Sequence, residues 1–265
     1  KYSFIFHYFK VFILFNYMNT RLIAKVEIKN QNIVKPIYFE GLKKIGNSKK
    51  VIQEICKHEI DEIIYLDLVA SLYQRKLDLN LLKENLQNIF VPATVGGGIR
   101  SIDDCNNFFE NGADKISINT YALQTNKNLI NTIAKKYGSQ SVVINIESKK
   151  IDSNWYCFSD NGRINSNVKV YDWIKIVQDL GAGELFIQSV DKDGTKSGYD
   201  IELYDKIFKI CSVPVIIGSG AGSLRDIEKI IQMIKPEAIC LSSLIYDDFS
   251  IINKIKKLLE KYNDK

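Results

Sequence analysis

Two glutamates, Glu27 and Glu147, stand near the ends of short β-branched runs, Arg21-Leu-Ile-Ala-Lys-Val-Glu-Ile28 and Ser141-Val-Val-Ile-Asn-Ile-Glu147. Two carboxylates on opposite sides of a substrate can supply one acid and one base, provided that their surroundings split their proton affinities. Lys25 and Asn145 lie two residues earlier on the same runs and therefore point the same way. A lysine directed inward needs a partner, so Lys25 is expected to pair with Glu27 or Glu147 and hold the carboxylates ionised. His58 is the one histidine beyond residue 17. Neither a His-rich metal site nor a Ser-His triad can be assembled around it, and the chemistry is expected to need no metal or cofactor.

A second kind of chemistry is written in glycine. Gly96-Gly97-Gly98 and Gly218-Ser219-Gly220 each fall between a β-branched run and a helix start with the S-x-x-D pattern, Ser101 to Asp104 and Ser223 to Asp226. Glycine lets backbone amides approach a phosphate, and the helix N-terminus adds partial positive charge. Asn119-Thr120 and Ser242-Ser243 supply further donors beside each turn. Two phosphate sites on opposite sides of one mouth are therefore expected. Asp67, Gln188, Asp191 and Asp193 add polar side chains near the ends of two other runs, and the stretch from Ser189 to Asp200 is too polar and glycine-rich for a core. It reads as substrate contact.

To bring these residues together, the chain needs strands ending at one face. Such runs alternate with amphipathic helical stretches, which argues a parallel sheet with crossover helices. Eight strands are expected, at roughly 21 to 28, 62 to 68, 92 to 96, 115 to 119, 141 to 147, 184 to 190, 213 to 218 and 237 to 242. Helices fall near 48 to 58, 79 to 88, 102 to 111, 126 to 137, 171 to 180, 200 to 210, 224 to 234 and 249 to 262. Val91 to Asp104 aligns without gaps on Val213 to Asp226, and Val26 to Lys29 on Ile146 to Lys149. The offset of roughly 120 residues far exceeds the 20 to 50 of stacked repeats. It implies an α/β chain forming a single (β/α)8 TIM barrel built from two duplicated half-barrels, whose closure removes every sheet edge. The connections 29 to 47 and 148 to 170 are longer than ordinary βα loops and read as lids over the mouth.

With 46% hydrophobic and 25% charged residues, the chain has the composition of a globular protein and not of a disordered one. Residues 1–17 are aromatic-rich and differ sharply from the rest of the chain. They are read as a leader outside the fold, with Met18 as the start and 18–265 as the barrel. About 250 residues then remain, the usual size for this fold. The leader is too short, and interrupted by Lys10, to span a membrane. A net charge of +5 without a dense basic block gives no footprint for nucleic acid. Five cysteines without a CxxC pair suggest reduced thiols and a cytoplasmic protein.

At these residues the chain resembles the cyclase subunit of imidazole glycerol phosphate synthase. The resemblance rests on Tyr65-Leu-Asp-Leu-Val-Ala-Ser71, Thr94-Val-Gly-Gly-Gly-Ile99, Gly112-Ala-Asp-Lys-Ile-Ser-Ile-Asn-Thr120, Gly138-Ser-Gln-Ser-Val-Val143 and Gly181 through Asp200. It implies an enzyme of histidine biosynthesis. Ammonia from a glutaminase partner docked at the N-terminal face of the barrel converts a phosphoribulosyl-formimino ribonucleotide to imidazole glycerol phosphate and aminoimidazole carboxamide ribonucleotide. The resemblance also implies a substrate role for Lys35 in a mobile loop, and phosphate contacts at Gly98, Asn119, Thr120, Gly194, Gly220, Ser242 and Ser243. At the opposite end it implies an ammonia gate of Arg21, Glu62, Lys115 and Glu184. Glu27 and Glu147 stand where the family has catalytic aspartates, Lys25 where a small residue such as cysteine is usual, Gln188 where threonine is, and Gly218 where serine is. Two further readings stay beside the histidine-pathway cyclase. One is a paralogue delivering ammonia for amidation of a surface sugar, the other a non-catalytic scaffold for the glutaminase.

Overall fold

The computed structural model describes residues 19–70, 73, 76–87 and 89–263. The leader and the start at Met18 lie outside the described residues. The elements run in chain order: β1 (Arg21–Lys29), β2 (Asn32–Ile37), β3 (Glu40–Asn47), α1 (Ser48–Ile55), β4 (Glu62–Asp67), α2 (Leu79–Leu86), β5 (Ala93–Gly96), α3 (Ile102–Glu110), β6 (Lys115–Ile118), α4 (Thr120–Gln124) and α5 (Asn128–Tyr137). They continue with β7 (Val142–Ile151), β8 (Asn154–Ser159), β9 (Ile164–Lys169), α6 (Val170–Asp179), β10 (Glu184–Ser189), α7 (Ile201–Phe208), β11 (Val215–Gly218), α8 (Leu224–Ile234), β12 (Ala238–Leu241), α9 (Ser243–Asp247) and α10 (Ile251–Asn263).

Eight parallel strands close on themselves in the order β1, β4, β5, β6, β7, β10, β11, β12 and back to β1. The chain is a (β/α)8 barrel. Its strands are buried on both faces, so their sequences are nearly continuous apolar runs. Ile23, Ile64, Leu66, Val143, Phe186, Ile216, Ala238 and Cys240 fill the inside of the barrel. The alternate residues of the same strands, such as Leu22, Ile63 and Leu185, pack outward against the helices in a second, larger core. The helix starts are fixed locally: Ser101 and Asp104 complete a reciprocal capping box, and the Ser223 side chain accepts from the Asp226 amide. No helix among the described residues is long and apolar enough to cross a membrane.

The two long connections are ordered hairpins. β1 runs past the barrel rim and pairs antiparallel with β2, which pairs with β3. β7 runs on in the same way into β8 and β9. Two short helices, α4 and α9, also come after β6 and β12, where the sequence predicts direct passage to the longer helices.

Candidate functional site

Glu27 and Glu147 both line a cavity of about 370 Å³ at the C-terminal end of the barrel. Their environments differ. Glu27 is fully buried between two ammonium groups, with Lys25 Nζ at 2.8 Å and Lys35 Nζ at 3.4 Å. Lys35 also contacts Asp193 at 3.0 Å, and Lys25 lies 3.8 Å from Asp193. Two cations and two anions thus form one closed cluster, and Lys25 lies over the Phe39 ring at 5.2 Å. Lys25 also donates to Gln188 Oε1 at 2.7 Å, and Gln188 Nε2 donates to Asn145 Oδ1 at 2.8 Å. Burial alone would lower the Lys25 ammonium, but Glu27 and Asp193 outweigh it and hold it above its ordinary range.

Glu147 makes no ion pair among the described residues; its Oε2 accepts the Gly162 N–H at 2.7 Å. Burial pushes its carboxyl up to about 7, against the pull of the Gly162 amide, the nearby Asn119 side chain and the more distant Lys25. The expected partner of Lys25 is therefore present as Glu27, while the expectation that both carboxylates are held ionised is corrected. Lys25 reaches its own strand and β10, and leaves Glu147 in a poorly solvated pocket.

The two glycine turns open onto different cavities. Gly97, Gly98, Asn119 and Thr120 line the larger one with the glutamates, Asp67 and Gln188. Gly97 has φ +112°, and a Cβ there would fall 2.6 Å from the Asp67 carbonyl, so only glycine fits. Gly194, Gly220, Ser242 and Ser243 gather with Ser219 around a separate space of about 20 Å³. Lys25, Gln188 and Asp193 line this space too, so the charged cluster forms the wall between the turns. Asp67 also accepts the Val69 and Ala70 amides at 3.0 and 3.1 Å, which shapes the loop after β4. Asp191 lines neither space; it accepts the Lys150 amide at 2.8 Å and ties the β7–β8 hairpin to the loop after β10. Lys35, expected in a mobile loop, lies in β2 and is buried.

At the opposite end, four side chains from β1, β4, β6 and β10 close a ring of alternating charge. Arg21 contacts Glu62 at 2.6 Å and also Glu184, and Lys115 contacts Glu62 at 3.1 Å and Glu184 at 2.9 Å. Thr94 Oγ1 donates to Glu62 at 2.7 Å. Burial would lower the Arg21 guanidinium, but Glu184 and Glu62 hold it above its ordinary range.

Residues 21–250 match the sequence pattern of the family described as histidine biosynthesis protein. The chain belongs to that family. Among its relatives, the imidazole glycerol phosphate synthase subunit HisF of Legionella pneumophila is 42% identical over 209 residues, covering 78% of this chain and 98% of the relative. The subunit of the same name from Hydrogenobaculum sp. is 39% identical over 244 residues, 92% of this chain and 96% of the relative. That from Sulfolobus acidocaldarius is 36% identical over 241 residues, 91% and 96% respectively.

Within this histidine biosynthesis barrel, sequence reasoning missed part of the larger cavity's wall: Ser117, Arg100, Tyr121 and Gln124, and Asp160 and Asn161 from the β8–β9 turn. Ser117 was legible, since the sequence reads 115 to 119 as one strand and Ser117 precedes Asn119 by two in it. For the turn the signal was only Asp-Asn-Gly, which marks a reversal and says nothing of what lies beneath it.

Proposed function

We propose that this barrel is the cyclase subunit of an imidazole glycerol phosphate synthase. It takes ammonia from a glutaminase docked at the Arg21 end and converts a phosphoribulosyl-formimino ribonucleotide to imidazole glycerol phosphate and aminoimidazole carboxamide ribonucleotide. The observation that carries the reading is the split pair of carboxylates in one cavity, Glu147 with its carboxyl raised to about 7 and Glu27 paired with two lysines. Addition of ammonia to the ketone of the ribulosyl group needs a proton delivered to oxygen and one removed from nitrogen. Glu147 is suited to the first task and Glu27 to the second. Gly98, Asn119 and Thr120 would hold one phosphate, and Gly194, Gly220, Ser242 and Ser243 the other. Lys35, Asp67, Gln188 and Asp193 would line the path between them, with Asp191 supporting the hairpin above. The ring of Arg21, Glu62, Lys115 and Glu184 would form the ammonia gate. Glutamates in place of the family's aspartates would be an adaptation of this reaction centre, completed by Lys25 and Gln188.

Turnover with saturating ammonium, which bypasses the glutaminase, tests this directly. The wild-type chain should release aminoimidazole carboxamide ribonucleotide, and Glu27→Gln and Glu147→Gln should each lose at least about 100-fold in rate. A wild type without turnover would overturn the proposal. The space at the second turn, about 20 Å³, is near the volume of a single water and counts against a second phosphate there, which is the ground for keeping the second reading, ammonia delivery for amidation of a surface sugar. On that reading the wild type is inert, and replacing both glutamates by aspartate raises cyclase turnover.

A further inference from the structure

The turn from β8 to β9 is built of three consecutive residues in the left-handed region, Asp160 (φ 51°), Asn161 (φ 60°) and Gly162 (φ 70°). Aspartate, asparagine and glycine are the residues that tolerate this conformation. Three hydrogen bonds fasten the turn to the barrel rim. The Asp160 N–H donates to Thr120 Oγ1 at 3.2 Å, Asn161 Nδ2 to the Leu68 carbonyl at 2.5 Å, and the Gly162 N–H to Glu147 Oε2 at 2.7 Å. Asp160 itself, together with Leu68, Thr120 and Glu147, lines the larger cavity.

Asp160 Oδ1 is buried there without a well-formed hydrogen bond, the Thr120 side chain acting on its carboxylate, as are Ser117 Oγ and Asn119 Nδ2 in the same wall, the last beside Glu147. Buried polar atoms without well-formed hydrogen bonds are costly and rare, and three around one cavity point to a ligand that completes them. The set contains one acceptor, one donor and one hydroxyl, which matches the mixed donors and acceptors of a polyol. A cation is disfavoured, because Arg100 and Arg163 already act on the Asp160 carboxylate.

We propose that Asp160 is a specificity residue whose carboxylate accepts hydrogen bonds from the hydroxyls of a sugar phosphate, with the phosphate at the Gly97–Gly98 turn. This rests on the proposed function for the placement of that phosphate, and adds the group that reads the sugar next to it. Burial raises the Asp160 carboxyl, so ligand hydroxyls would also replace the solvation that the turn removes.

Titration calorimetry of the full chain with ribose 5-phosphate and with inorganic phosphate provides the test, since neither probe requires turnover. The wild type should prefer ribose 5-phosphate, and Asp160→Ala should reduce that preference roughly tenfold without weakening inorganic phosphate. Asp160→Asn keeps an acceptor oxygen and the left-handed turn, and should retain part of the preference. An unchanged preference in Asp160→Ala, or no binding of ribose 5-phosphate by the wild type, would overturn the proposal. A preference that depends on Asp160 in a chain without cyclase turnover would sink the cyclase reading and leave this one standing.

Discussion

Glu147 carries a stability cost that depends on pH. The folded chain keeps its proton to about pH 7, whereas an ordinary glutamate in the unfolded chain releases it near 4.5. Between these values the folded state binds more protons, so stability falls as pH rises and the loss is complete above about 7. Glu147→Gln removes the titration. Denaturant melts should show the variant gaining on the wild type from pH 5 to pH 8, by up to about 3 kcal/mol. A gap that does not change with pH would contradict the assignment. Catalysis should move the same way as wild-type stability: cyclase turnover that needs a protonated Glu147 declines above about pH 7. The i, i+2 relation between Lys25 and Glu27 made their pairing legible in the sequence, because alternate residues of a strand share a face. That Asp193, from far along the chain, completes the cluster was not legible; it depends on how the barrel closes.

The hairpin β2–β3 is held down mainly by the loop after β10. Tyr38 N–H donates to the Asp193 carbonyl at 3.0 Å, Phe39 N–H to its carboxylate at 3.3 Å, and Lys35 completes the latch. Gly194 lies beneath it with φ +70°, and a Cβ there would meet the Pro36 carbonyl at 2.8 Å. Gly194→Ala should therefore lift this hairpin without disturbing the barrel, at a cost of about 1 to 2 kcal/mol. Hydrogen exchange should quicken in β2 and β3 and stay slow in β4 to β6; uniform acceleration would mean that the hairpin and barrel open as one unit. The barrel strands and their helices were legible because their apolar periodicity is continuous and their caps are local. The hairpins were not. Pro36 and the lysines of 35 to 44 break any apolar alternation, and the strands exist because β1 and β7 extend past the rim and offer them an edge. The helices α4 and α9 are too short to show a period at all.

At the scale of the barrel, the ring at its N-terminal end joins four strands through side chains alone. Lys115→Met would leave Glu62 and Glu184 sharing Arg21, with both glutamates still buried. Lys115 is 20% exposed, which tempers the penalty of breaking a buried pair to about 2 kcal/mol. Chemical denaturation would read that loss, and an unchanged midpoint would show the ring to be a surface decoration. Its four members lie in different strands, at residues 21, 62, 115 and 184, and so were identifiable in the sequence through resemblance and not through spacing.

Because β1 pairs with β12, the first and last strands of the cylinder are neighbours, Arg21 beside Ala238 and Ala24 beside Leu241. Thr20 Oγ1 donates to the Pro236 carbonyl, and Tyr246 OH to the Lys25 carbonyl, across the same seam. A ribosome delivers these partners in order, at roughly 5 to 20 residues per second. For several seconds or more, then, β1 has one open edge, and the strand that carries Lys25 and Glu27 waits for the final segment before its burial is finished. Among the described residues the seam is the longest closure between strands and the last strand pairing to become available. It is therefore the place where a nascent chain is most exposed to pairing with the edge of another.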